Sequence, residues 1–326
     1  MQQFIMESAR RERIFALALP IIGGMVSQNL LNIVDTAMVG FLGDPALAAV
    51  GLGGFIVFMC QALILGISTG VQSSAARRKG EGSPERAAAI LNTALLLVLI
   101  VAPLFSMVLI QLAEPIYPYL NSDPAVIERG VPYIEWRLGA IVFVGMNFAF
   151  RGYWNALDLS KLYMKTLIFM HATNIVLNYA LIFGNFGAPP LGVTGAGMAS
   201  AISMAVGTLT YFYLGSRHIE KGHFLRCLAS RAETSALVRV SVPSGIQQLF
   251  FAAGLVAMIA QVIALLAINA ARAHDLTDVV ATGRLAQLAP VRAVFDAVAD
   301  LYHRPHFAVP DDGARATAAG AVLAVD

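Results

Sequence analysis

IFALALPIIGGMVSQNLLNIVDTAMVGFLG, Ile14 to Gly43, decides the reading of this chain, because its one charged residue is Asp35. As a helix it is long enough to cross the ~30 Å apolar core of a bilayer. An acid left alone at that depth costs about 3 kcal/mol or more, so intramembrane acids usually mark proton, ion or substrate paths. The remaining composition points the same way. Hydrophobic residues make up 58 %, charged residues 13 %, and the mean hydropathy is +0.70, outside the usage of soluble domains.

Working outward, uncharged runs define an all-α polytopic membrane protein. Spans are expected at about 14–41, 46–76, 87–113, 133–155, 166–184 and 192–215, forming a six-helix lobe over 1–236, with a seventh helix over 237–270. The fifth and sixth are separated at GNFGAPPLG, Gly184 to Gly192, where Gly and Pro end helices. Basic residues recur in every second loop: Arg10, Arg11 and Arg13; Arg77, Arg78, Lys79 and Arg86; Arg151, Lys161 and Lys165; Arg217, Lys221, Arg226, Arg231 and Arg239. The intervening loops carry only Arg129. The positive-inside rule therefore puts the N-terminus in the cytoplasm, and a bacterial cytoplasmic membrane is the expected location.

A net charge of +2 dispersed in this way implies no nucleic-acid partner. The first apolar run is too long for a cleavable signal peptide. Cys60 lies in a span and Cys227 in a loop, so neither a disulfide framework nor a metal site is expected. From about residue 271 onward the charges are all Arg or Asp and Ala and Val dominate. Residues 271–326 read as a soluble appendage, a disordered tail, or the out-of-frame end of a truncated gene, the last being the favoured reading. His274, His303 and His306 there have no regular ligand spacing, and a metal site is not expected. No Ser/His/Asp or paired-acid constellation lies at membrane depth, which argues against an enzyme.

LPIIGGMVSQNLLNIVDTAMVGFLG (Leu19 to Gly43) resembles the opening helix of the multidrug and toxic compound extrusion (MATE) family of antiporters. ALAAVGLG (Ala46 to Gly53), GISTGVQSSAARRKGEG (Gly66 to Gly82), FRGYWNALDLSK (Phe150 to Lys161), NIVLNYALIFG (Asn174 to Gly184) and LGVTGAGMASAIS (Leu191 to Ser203) resemble later pieces of that family in the same order. The resemblance covers about Arg11 to Met258. It implies the first of two six-helix lobes, related by an internal pseudo-twofold of the kind common in secondary transporters. ALALPIIGGMVSQNLLN at Ala16 and RVSVPSGIQQLFFAAGL at Arg239 would be the two lobe openings, with Met258 at the place of Asp35. The implied activity is proton- or sodium-coupled export of small cationic amphiphilic compounds, with no cofactor besides the coupling ion. The alternatives are a truncated, non-transporting membrane fragment and a lipid-linked oligosaccharide flippase of the same superfamily; self-association of the chain or a missing second lobe is the expected partner. Flippases tend to carry basic residues facing the cavity, and no span as drawn has one near its centre.

The resemblance makes Asp35 the cation-coupling acid; the competing reading is an acid snorkelling outward or satisfied by an amide. Asn174 and Asn178 stand four apart on one helix face and could hydrogen-bond Asp35 or coordinate sodium. Some relatives have an acid at the second position, and one carboxylate in place of two weakens a sodium site. Thr194 and Ser200 are candidate hydroxyl partners. Gln28 and Gln61 could line a cavity or act as polar glue between helices. Pro20 could let the first helix bend, or simply start it. His171, one turn before Asn174, reads as a packed histidine.

Overall fold

The computed structural model describes residues 2–121, 123–220, 222–273, 278–280, 289–302 and 306–308. Nine helices lie among them: α1 (Gln2–Gly40), α2 (Asp44–Gly80), α3 (Pro84–Leu120), α4 (Pro124–Gly139), α5 (Ile141–Ala156), α6 (Ser160–Phe183), α7 (Gly192–His218), α8 (Arg231–Ala273) and α9 (Ala289–Tyr302). Gly and Pro punctuate them. Gly43 at φ +92° turns α1 into α2, and Gly184, left-handed at φ +77°, ends α6, a conformation that a side chain would penalise. Asp123 opens α4 by accepting the Ala125 N–H at 2.9 Å, with Pro124 as the first helical residue. Among the described residues six helices are long and apolar enough to cross a membrane: α1 from Ile14, α2, α3, α6, α7 and α8.

The structure differs from the sequence reading in the fourth span. Where one helix is expected over 133–155, α4 and α5 of 16 residues each meet at Ala140. Each alone would rise only ~24 Å. The break follows Gly139, and Ser106 Oγ on α3 donates to the Leu138 carbonyl beside it at 2.7 Å, satisfying backbone at membrane depth as apolar surroundings require.

The chain divides into two compact units, residues 1–114 with 128–249, and residues 115–127 with 250–326. In the first, α1 packs on α6 and α2, α6 on α7, and α5 on α2 and α7. Polar glue holds α5 to α7: Thr208 Oγ1 donates to Asn147 Oδ1 at 2.9 Å. Phe150 stacks on Tyr211 with ring centroids 5.3 Å apart, and Trp154 is fully buried nearby in sequence. A Cβ on Gly66 or Gly70 of α2 would collide with Ser241 and Gly245 of α8, so small residues let these helices touch backbone to backbone.

Where α2, α3 and α8 meet near the basic loops, an ion cluster forms. Glu233, nearly buried, accepts from Arg86 Nη2 at 2.8 Å and forms an ion pair with Arg78, whose Nε lies 3.0 Å away. Ser230 and Glu233 also form a capping box at the start of α8, with Ser230 N–H donating to Glu233 Oε2 at 2.9 Å and Glu233 N–H donating to Ser230 Oγ at 3.3 Å. Glu81 accepts from Arg78 and from Arg77, and the Arg78 hydrogen bond foremost holds its carboxyl below the usual range. The Asn92 amide fastens the loop before α8 by donating to the carbonyls of His223 and Cys227, both at 2.8 Å.

In the second unit the described part of 271–326 holds a helix and two short strands. Ala260, Ala264 and Ile268 of α8 form a buried cluster with Val291, Phe295 and Val298 of α9. On both helices the apolar residues recur every three or four positions, so each presents one apolar face. Strands β1 (Asp278–Val280) and β2 (His306–Ala308) flank α9 in sequence and pair in parallel, Val279 opposite Phe307. His274 and His303 lie outside the described residues.

Candidate functional site

Asp35 stands five residues before the end of α1, half-buried, on the side packed against α6. Asn178 of α6 donates through Nδ2 to Asp35 Oδ1 at 2.7 Å and to Asn174 Oδ1 at 3.0 Å. The Asn174 Nδ2 donates in turn to Ser200 Oγ at 3.5 Å and Ser203 Oγ at 3.4 Å on α7. Both asparagines are buried, and Asn178 Oδ1 is a buried acceptor without a partner. On the far side of Ser200, Arg137 of α4 donates to Ser200 Oγ at 3.3 Å and to the Tyr133 hydroxyl at 3.1 Å. Its guanidinium lies 5.6 Å from the Tyr133 ring centroid. Four helices thus contribute to one polar network.

Local sequence explains the convergence. Asn174 and Asn178 share a face of α6, the helix lying between α1 and α7. The approach of α7 to α6 is close because Gly195 meets the Leu181 backbone and Gly207 meets Met170, where no Cβ would fit. One to two turns before Asp35, α1 continues the polar strip. Ser27 Oγ and Gln28 Oε1 bond the two ring nitrogens of His171 at 2.7 and 3.2 Å, and Gln28 Nε2 donates to Asn32 Oδ1 at 3.3 Å.

Of the residues singled out from sequence, Asp35, Asn174, Asn178 and Ser200 are brought together. Gln28 joins His171 rather than Asp35. Thr194 and Gln61 are partly buried and have no hydrogen bond to the network, and Pro20 is buried within α1. No group of three or more His, Cys, Asp or Glu able to hold a metal ion occurs among the described residues.

The MatE family model matches residues 20–180, which hold most of this network. This chain belongs to the MATE family. Over 242 residues it is 30 % identical to Multidrug resistance protein PmpM of Pseudomonas aeruginosa, an alignment covering 73 % of this chain and 51 % of that protein. It is also 30 % identical over 221 residues to the probable multidrug resistance protein NorM of Burkholderia mallei, covering 66 % and 46 %. Among solved structures, an outward-facing multidrug resistance MATE family transporter of the MOP superfamily superposes with a TM-score of 0.68 at 25 % identity, covering 78 % of this chain and 56 % of that one. The chain spans about half the length of the curated relatives it matches. It is a predominantly helical integral membrane protein of a transporter family and not an enzyme.

Against that MATE framework, sequence reasoning missed Arg137, Tyr133 and Ser203. Arg137 looked like a residue near the start of a span at 133, whereas α4 begins at Pro124 and carries it inside. The Asp-Pro pair at 123–124 was the available signal, since it reads as a helix start. Ser203 follows Ser200 by three residues, the helical same-face spacing.

Proposed function

We propose that this chain is the first lobe of a proton-coupled antiporter for small cationic amphiphilic compounds, with Asp35 as the coupling group. The supporting observation is the arrangement around Asp35: one carboxylate in an apolar span, one amide donor at 2.7 Å, and a guanidinium joined to the same network through Ser200. Sodium wants several oxygens and negative charge, and this site offers a single acid with a cation already in its network. A proton needs no such shell. Hydration of Asp35 favours the charged carboxylate and burial favours the neutral acid, so a site opening alternately to two sides would load and release a proton. The N-terminus and the loop following α7 lie in the cytoplasm in this reading, and Asp35 lies in the outer half of the membrane.

Drug susceptibility in an efflux-deficient bacterial host tests it. Cells carrying the chain should tolerate a cationic dye better than cells carrying Asp35→Asn or an empty vector. If chain and vector behave alike despite confirmed membrane insertion, the fragment reading holds in place of this one.

A further inference from the structure

We infer that Arg137 is a positioning residue for Asp35, setting the orientation of both asparagine amides so that a donor faces the carboxylate. This rests on the proton-coupling reading above. A guanidinium inside a membrane lobe is costly, and the direct partners of Arg137 are the neutral Tyr133 hydroxyl and Ser200 Oγ. No carboxylate among the described residues comes within ion-pair distance of it. Its role is legible in the hydrogen-bond directions.

Arginine can only donate, so Ser200 Oγ must accept from it, as it also accepts from Asn174 Nδ2. With its NH2 turned to the serines, Asn174 presents Oδ1 to Asn178. Asn178 then spends one amide hydrogen on Asn174 and the other on Asp35. The network therefore shows Asp35 a donor, which stabilises the carboxylate over the acid.

Other groups around Asp35 do not compete for this part. On α6, His171 is held by Ser27 and Gln28, and the Tyr179 ring packs on Phe183 and Phe186. On α2, Asp44 stands at the helix start and Cys60 sixteen residues further on, and the α7 residues facing the network are Ser200 and Ser203.

Dicyclohexylcarbodiimide labels protonated carboxyls in apolar surroundings, so the pH profile of Asp35 labelling, read by peptide mass spectrometry on the purified chain, reports its protonation without any transport. Arg137→Met should move the half-labelling pH upward by about one unit, roughly tenfold more labelling on the alkaline side. Arg137→Lys, which keeps a charge and a donor, should restore the profile. Ser200→Ala, which leaves Arg137 in place, should shift it by less and carries the test if Arg137→Met does not fold. An Arg137→Met profile superimposed on wild type, or an Arg137→Lys profile as displaced as Arg137→Met, overturns the inference. Neither result depends on whether the chain exports anything, so this inference can fail while the antiporter reading stands, and the reverse.

Discussion

Replacing Glu233 by Ala removes two kinds of contact at once. The first is the capping box, in which Glu233 accepts the Ser230 N–H at 2.9 Å and the Ser230 hydroxyl at 2.8 Å. Loss of such a cap costs about 1 kcal/mol. The second is the pair of arginines. Arg78, with only 15 % of its side chain exposed, sits 3.0 Å away and would lose a largely desolvated ion pair worth about 1.5 kcal/mol. Arg86 is 46 % exposed, so solvent screening reduces its share to about 0.5 kcal/mol. The sum is about 3 kcal/mol, or roughly 6–12 °C in the melting temperature of the purified chain in detergent. Glu233→Gln keeps a capping-box side chain and loses the charge, so its loss should be about half as large. Raising the salt from about 0.05 to 1 M should narrow the gap between wild type and Glu233→Gln, because screening weakens the half-exposed part. A Glu233→Ala melting point within about 1 °C of wild type would refute the assignment of this cluster as a clasp between α2, α3 and α8.

Other outcomes follow from the same structure. Gly66→Leu should destabilise the chain by about 3 kcal/mol, because the new side chain meets α8 backbone, whereas Gly40→Ala, with nothing within 4 Å of its Cβ position, should be neutral or mildly stabilising in the same melt. Asn92→Ala deletes the donors to the His223 and Cys227 carbonyls and should expose the 223–229 loop to limited proteolysis at least several-fold faster, at a cost of about 2 kcal/mol. Glu81 has a lowered carboxyl, so its contribution is present above its unfolded value and fades as pH falls through the lower folded one. Glu81→Gln should therefore flatten the acid limb of the melting profile below about pH 4.5, the ordinary glutamate value.

Much of the fold was legible because its signals are local. Apolar run length and alternating basic loops mark spans, and the four-residue spacing of Asn174 and Asn178 puts both amides on one face. Asp35 stood out as a charge where none is tolerated without a partner. The partner was harder to find, since pairing across α1, α6, α7 and α4 depends on which faces meet. Arg137 was hidden by a misplaced helix start, an error of nine residues between Pro124 and 133. The break at Ala140 left only Gly139 as a mark, and a single glycine is common in membrane helices. α9 is legible in the helical amphipathic spacing at the start of AVFDAVADLYHRPHF (Ala293 to Phe307), whereas its pairing with the end of α8 depends on which apolar faces meet and is not written in the spacing.

The coupling claim is tested most directly by proton movement in proteoliposomes holding the purified chain and a pH-sensitive dye. Under an imposed pH gradient, adding a cationic substrate should release protons in proportion to chain, and Asp35→Asn should abolish the signal while leaving insertion unchanged. A substrate-dependent signal of equal size in Asp35→Asn, or one that requires sodium in place of the pH gradient, would contradict the account.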